Sequence, residues 1–218
     1  MPAAGRARRG AGSRGQGSAA PRARKGGRRE AILAAALDEF SARGFAATRL
    51  DDVARRAGVA KGTIYLYFRD KESLFHELVR TMLSPLVGAL VAAPIRDMPI
   101  RAVAQMIADL FANEIFATRR RDVLSLIVTE GARFPKLAEL YYREVVERVL
   151  PVLRARLVLA VERGELKDDA LVRFPQLLVA PALLAIVWNG LFGRFRPLDV
   201  RQLLDAHVDL LFGARNAT

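Results

Sequence analysis

TRLDDVARRAGVAKGTIYLYFRDK, residues Thr48 to Lys71, reads as two short helices joined by a tight turn. Thr48 followed three residues later by Asp51 is a variant capping box, with Asp where Glu is usual, and predicts a first helix ending near Ala57. Val53, Ala57, Val59, Ile64 and Tyr67 fall where a crossed helix pair needs apolar contact, and Ala54 is small where the second helix approaches. Gly58 accepts the left-handed backbone that ends a helix at no Cβ cost. The second helix, Ala60 to Phe68, displays Lys61, Gly62, Thr63, Tyr65 and Tyr67. Hydroxyls and an ammonium suit phosphates, ring edges and methyls suit base edges, and a bare backbone permits close approach, so this face fits a DNA major groove.

Upstream, Ile32, Leu33, Ala36, Leu37 and Phe40 recur at helical spacing between Arg28 and Arg43, and Gly44 ends the run. Downstream, Asp70 predicts an N-cap, and Leu74, Phe75, Leu78, Val79, Met82 and Leu86 predict a fourth helix to about Val91. Lys71 sits in its first turn, where a cation opposes the helix dipole, which favours a phosphate partner over a structural role.

From Gly44 to Phe75 the run GFAATRLDDVARRAGVAKGTIYLYFRDKESLF resembles the DNA-binding signature of the TetR family of bacterial transcriptional regulators, notably at Gly44-Phe45, Gly58-Val59, Lys61-Gly62, Tyr65, Tyr67-Phe68 and Lys71. The specific motifs cover Arg28 to Arg80; beyond them the resemblance rests on length and helical pattern. It implies an all-α chain with an N-terminal three-helix head carrying the helix-turn-helix and a C-terminal helical ligand-binding and dimerisation body, about nine helices in total. It also implies a homodimer through the last two helices, near residues 175–193 and 199–212, a double-stranded DNA operator, and a small-molecule effector. The expected phosphate contacts are Thr48, Lys61, Tyr67 and Lys71, with Arg49 and Arg55 adding backbone contacts; Thr63 and Tyr65 reach bases or sugars, and Gly62 gives close approach. Leu50, Leu66 and Tyr67 depart from residues frequent in relatives, which leaves the operator sequence open.

The formal charge of +12 is unevenly placed: nine basic residues and no acid lie in the first 29 positions, leaving +3 on the rest. From Glu30 to Arg80 acids and bases balance at eight each, so the head attracts DNA by the placement of charge, and the arm is either a source of long-range attraction or a solubilising tail. Residues 1–27 are rich in Gly, Ala, Ser and Arg, which predicts a disordered arm, followed by a head over 28–73 and a body over 74–218. The arm lacks the apolar core of a secretory signal, and the absence of cysteine fits a cytoplasmic protein. Its Gly10–Gly15 stretch matches a dinucleotide-binding pattern by accident, since no strand precedes it and no helix follows.

The body reads as helices at 100–118, 120–134, 136–163 with a bend near Pro151, 170–192 with Pro175 and Pro181 at its start or in a kink, and 199–212. Leu177 to Trp188 is apolar throughout but too short for a membrane span, so a helix buried on most sides, against another subunit, is expected. Met106, Phe111, Phe116, Phe134, Tyr141, Tyr142, Phe174 and Trp188 are candidate linings of an apolar ligand pocket, with ordinary core packing the competing role of each. His76 and His207 read as satisfied or solvated, and no metal, cofactor or catalytic motif assembles; Glu165, Asp168 and Asp169 read as a turn and helix start. The favoured function is a ligand-responsive repressor on a pseudo-palindromic operator. A constitutive architectural DNA binder, and a helical enzyme or scaffold that kept the DNA-binding head, are the alternatives.

Overall fold

A computed structural model describes residues 20–213, and every regular element among them is helical. Helix α1 (Ala20–Ala47) starts inside the stretch expected to be arm, with Pro21 in its first turn, where the fixed φ of proline suits a helix start. Residues 1–19, including Gly10–Gly15, lie outside the described residues. The face of α1 that carries Ile32, Leu33, Ala36, Leu37 and Phe40 is buried, and Gly44, at φ 75° and ψ 167°, breaks the helix before its last turn.

Helices α2 (Leu50–Arg56) and α3 (Lys61–Tyr65) pack together around buried Val53, Ala54 and Ile64. Gly58 takes φ 66° at the turn between them, and the Val59 amide donates to the Ala54 carbonyl at 3.0 Å. The regular part of α3 is shorter than expected. Its turn continues past Tyr65, since the Tyr67 and Phe68 amides both return to the Ile64 carbonyl, at 3.0 and 2.9 Å, which folds Phe68 into the core.

Helix α4 (Lys71–Met82) starts on a complete capping box, with Asp70 and Ser73 each bonding the other's backbone amide. The expected single helix to Val91 divides at Leu83, because Pro85 in the first turn of α5 (Ser84–Ala92) has no amide for the preceding turn. By length and composition alone, Lys71–Ala92 is apolar enough to cross a membrane. In the fold its Leu74, Phe75, Leu78, Val79, Leu83 and Val87 are buried in the protein itself.

The body continues with α6 (Ile100–Asp109), extended by a π-helical segment at Leu110–Phe116, and α7 (Arg120–Glu130). A second rod runs through α8 (Pro135–Tyr141), a π-helical segment at Tyr142–Val146, and α9 (Glu147–Glu162) with Pro151 inside it. The expected 170–192 helix is three pieces: α10 (Ala170–Arg173), a 3₁₀ turn at Pro175–Leu178, and α11 (Ala180–Phe192). Each later piece has a proline in its first turn, and an amide missing at each of those points interrupts the hydrogen-bond ladder. Helix α12 (Val200–Phe212) is capped by the Asp199 side chain.

Two apolar cores result. One joins the head to α4, α7 and α8; the other lies among α6, α9, α11 and α12, and Phe111 and Phe116 pack against both. Helix α7 lies along α1, with Arg119 Nη1 2.7 Å from Asp38 Oδ1 and the Phe134 ring 5.0 Å from that of Phe45, and it also touches α11.

Candidate nucleic-acid interface

Exposed side chains of α3 converge on one carboxylate of α2. Lys61 Nζ lies 2.7 Å from Asp51 Oδ2, and the Tyr65 hydroxyl donates to Asp51 Oδ1 at 3.4 Å. The hydrogen bond from Lys61 holds the Asp51 carboxyl below its usual range, and the same bond raises the Lys61 ammonium. Both α3 residues face solvent, so two donors and a ring are aimed outward and held in place by a short acidic side chain.

Gly62 is exposed, and a Cβ built on it would meet nothing within 4 Å, so the fold itself does not require glycine there. Thr63 is half-buried, Arg49 is exposed at the start of α2, and Arg55 is exposed while paired with Asp52. Tyr67 is half-buried against the head core, its ring 6.4 Å from that of Phe68.

Two of the residues expected at the DNA carry structural bonds within the head. Thr48 is 2% exposed and its hydroxyl donates to the Gly44 carbonyl at 2.8 Å; it makes no capping bond to α2, whose N-cap is Arg49. The residue secures the kink at the end of α1. Lys71 Nζ donates to the Phe45 and Ala46 carbonyls at 2.9 and 3.0 Å and sits 4.7 Å from the centre of the Phe45 ring. The carbonyls that α1 leaves open at its own C-terminus thus take a cation from the neighbouring helix, which offsets its unfavourable place in the dipole of α4.

The proposed pocket linings separate into groups. Met106, Phe111 and Phe116 pack at the second core, while Phe134 and Tyr141 pack at the first. Tyr141 is half-buried, and burial pushes its hydroxyl up to about 12. Phe174 and Tyr142 are 56% and 52% exposed, so neither lines an interior space in this chain. The Trp188 indole donates to the Arg196 carbonyl at 2.7 Å and its ring lies 5.1 Å from Phe192, which fixes the corner between α11 and α12. A cavity of about 420 Å³ opens at the start of α4, between Arg69, Asp70, His76, Lys136 and Leu140, and none of the eight candidates lines it.

Sequence reading missed a buried ion pair. Arg156, 1% exposed on α9, donates to the Met98 carbonyl at 2.9 Å and pairs with Glu165 at 2.7 Å, while Glu165 also accepts from the Ile100 amide. It locks the turn before α6 to the end of α9. Asp168 behaves as expected of a turn residue, accepting from the Ala170 amide at 2.8 Å. His207 lies 2.7 Å from the Leu177 carbonyl and His76 lies 3.3 Å from Glu144.

An outward helix carrying cation, hydroxyl, ring and bare backbone, braced by two others over a phenylalanine core, is the reading head of a helix-turn-helix DNA-binding regulator. Residues 32–78 match the family described as bacterial regulatory proteins, tetR family, and residues 100–213 match the AefR-like transcriptional repressor C-terminal domain. The chain belongs to the TetR family of bacterial transcriptional regulators, which are not enzymes. It is 31% identical over 188 residues to YhgD, an HTH-type transcriptional regulator of Bacillus subtilis (strain 168), covering 83% of this chain and 94% of that one. Among solved structures, FadR of Bacillus subtilis in complex with stearoyl-CoA gives a TM-score of 0.62 at 21% identity, covering 85% of this chain and 99% of that one. The SmeT–triclosan complex, SmeT being the repressor of a Stenotrophomonas maltophilia multidrug efflux pump, gives 0.65 at 22% identity, covering 85% and 90%. These two likenesses are of fold.

Proposed function

We propose that the chain is a ligand-responsive repressor that binds a pseudo-palindromic operator as a homodimer and leaves it when an apolar small molecule occupies the body. The observation that carries the dimer is the outer face of α11. Leu183, Leu184, Val187 and Leu191 are all exposed at helical spacing, and exposed Leu210 on α12 adds to them. A contiguous apolar stripe of this kind on a small regulatory body marks an interface, and a second copy related by a two-fold axis meets it with the same residues. A dimer sets two α3 helices a fixed distance apart, and about 34–36 Å matches successive major grooves. Within each head, Lys61, Tyr67, Arg49 and Arg55 hold phosphates, Gly62 allows close approach, and Thr63 and Tyr65 meet sugars and bases.

The effector reading rests on Phe111 and Phe116, which stand where the two cores meet, and on half-buried Tyr141 at the first core, whose hydroxyl has no hydrogen-bond partner among the described residues. A partly buried hydroxyl gains from a partner that a ligand brings. The ligands named for the fold neighbours, stearoyl-CoA and triclosan, both carry large apolar parts, which supports the same class here. A ligand that favours a different separation of the heads lowers operator affinity through one linked equilibrium.

A gel shift on the intergenic DNA flanking the gene, repeated with a panel of apolar compounds, tests this. Retarded DNA that a compound releases supports the repressor. Binding that no compound alters leaves a constitutive binder, and no binding at all removes the operator.

A further inference from the structure

Leu66 is 84% exposed, although it stands among residues that the fold uses closely. Ile64 is fully buried, Phe68 is buried, and Tyr67 packs on the head core, so the inward contacts of this turn are complete without it. Leu66 keeps a right-handed helical backbone, at φ −73° and ψ −21°, and its amide donates to the Thr63 carbonyl at 3.2 Å. It therefore continues the α3 turn, and its position four residues after Gly62 puts the two on one face. Gly62 is bare and Leu66 protrudes: a flat floor beside a knob.

The surroundings say what meets this knob. Lys61, Arg49, Arg55 and Arg69 are exposed on the same small domain, which suits a polyanion. The polar ends of Lys61 and Tyr65 are held together by Asp51, beside Leu66 in the turn. A leucine offers nothing to a phosphate, for it has no donor. Along the major groove the base edges present donors, acceptors and one apolar group, the C5-methyl of thymine. We propose that Leu66 is a specificity-determining residue that packs on a thymine methyl, with Gly62 giving the room for that approach. The inference rests on the DNA-reading role proposed above and adds one base to it.

The test uses the full-length chain to enrich duplexes from a randomised DNA pool, then replaces each thymine of the enriched duplex singly with deoxyuridine. That exchange removes the methyl and leaves every hydrogen-bonding group. At one position per half-site, wild-type affinity falls about threefold to tenfold, the worth of one buried methyl or slightly more. Leu66→Ala binds the parent duplex with a similar loss and no longer distinguishes thymine from deoxyuridine at that position. Its thermal unfolding matches wild type, because the side chain packs on little of the protein. The proposal is overturned if no deoxyuridine position weakens wild-type binding, or if Leu66→Ala keeps the full penalty. It is also overturned if the penalty disappears in Thr63→Ser instead, which would assign the methyl contact to Thr63. Sequence-specific binding that persists in any of these cases spares the DNA-reading role; enriched and scrambled duplexes bound alike would remove both.

Discussion

Lys71 on α4 reaches back across the head to the Phe45 carbonyl at the end of α1, at 2.9 Å, while lying 4.7 Å from the centre of the same residue's ring. One ammonium thus closes a helix end and stacks on the aromatic cluster of Phe40, Phe45 and Phe75. Lys71→Ala is expected to cost about 1–2 kcal/mol of stability, the worth of a charge-assisted bond plus a cation–π contact. Urea unfolding measures the loss. The slope of log affinity against log salt stays at the wild-type value, and a slope lowered by about one unit would instead mean that Lys71 neutralises a phosphate.

Lys61 is the opposite case. It is exposed and its partner Asp51 competes with any phosphate for it. Lys61→Ala lowers the salt slope by about one unit with little change in melting temperature. Asp51→Asn tightens binding to all DNA at low salt, and the gain fades as salt screens the charge. Fluorescence anisotropy across a salt series reads both.

Gly62 separates fold from function. A methyl there meets nothing within 4 Å, so Gly62→Ala keeps stability or raises it by about 0.4–1 kcal/mol through the unfolded chain. Operator affinity falls, because the methyl fills the gap that the DNA occupies. A stabilised variant that binds as well as wild type would show that α3 does not approach DNA closely at this residue.

The Arg156–Glu165 pair gives the body an acid limit. Burial pushes the Glu165 carboxyl up, yet the Ile100 amide and the Arg156 guanidinium together hold it below its ordinary 4.5. A carboxylate depressed in the folded state contributes stability above 4.5 and loses it as pH falls through the folded value. Urea midpoints measured between about pH 3 and pH 6 therefore fall on the acid side in wild type and flatten in Glu165→Gln. Glu165→Ala strands a buried guanidinium and costs about 3–5 kcal/mol at neutral pH.

On α11, Leu184→Glu and Leu191→Glu place a charge on the exposed apolar stripe without touching the core. Sedimentation is expected to show a monomer for the double variant and a dimer for wild type. Helical content is unchanged, and operator binding weakens because two half-sites are no longer held at once.

The head was legible because its chemistry is local. The spacing of Val53, Ala54 and Ile64 and the left-handed turn at Gly58 are set by residues within one short stretch. Asp70 was read as a cap for the same reason. The structural bonds of Thr48 and Lys71 were not legible because their partners, at Gly44, Phe45 and Ala46, belong to a neighbouring helix end whose open carbonyls leave no trace in spacing. Arg156 looked like any surface arginine of an amphipathic helix, since its partners Met98 and Glu165 come from separate turns. The π segments at Leu110 and Tyr142 were invisible for a related reason: they add no breaker residue and alter the ladder by packing alone.

Two of the attachments of α1 to the body, those flanking α7, have a mechanical meaning. Arg119 pairs with Asp38 on the straight part of α1, and Phe134 meets Phe45 just past the Gly44 break. A joint held at one point is a pivot, but a joint held at two is a bracket. The head cannot swivel on its own while both grips hold, so whatever re-aims α3 must either carry α1 and α7 together as a single beam or prise one bracket screw loose.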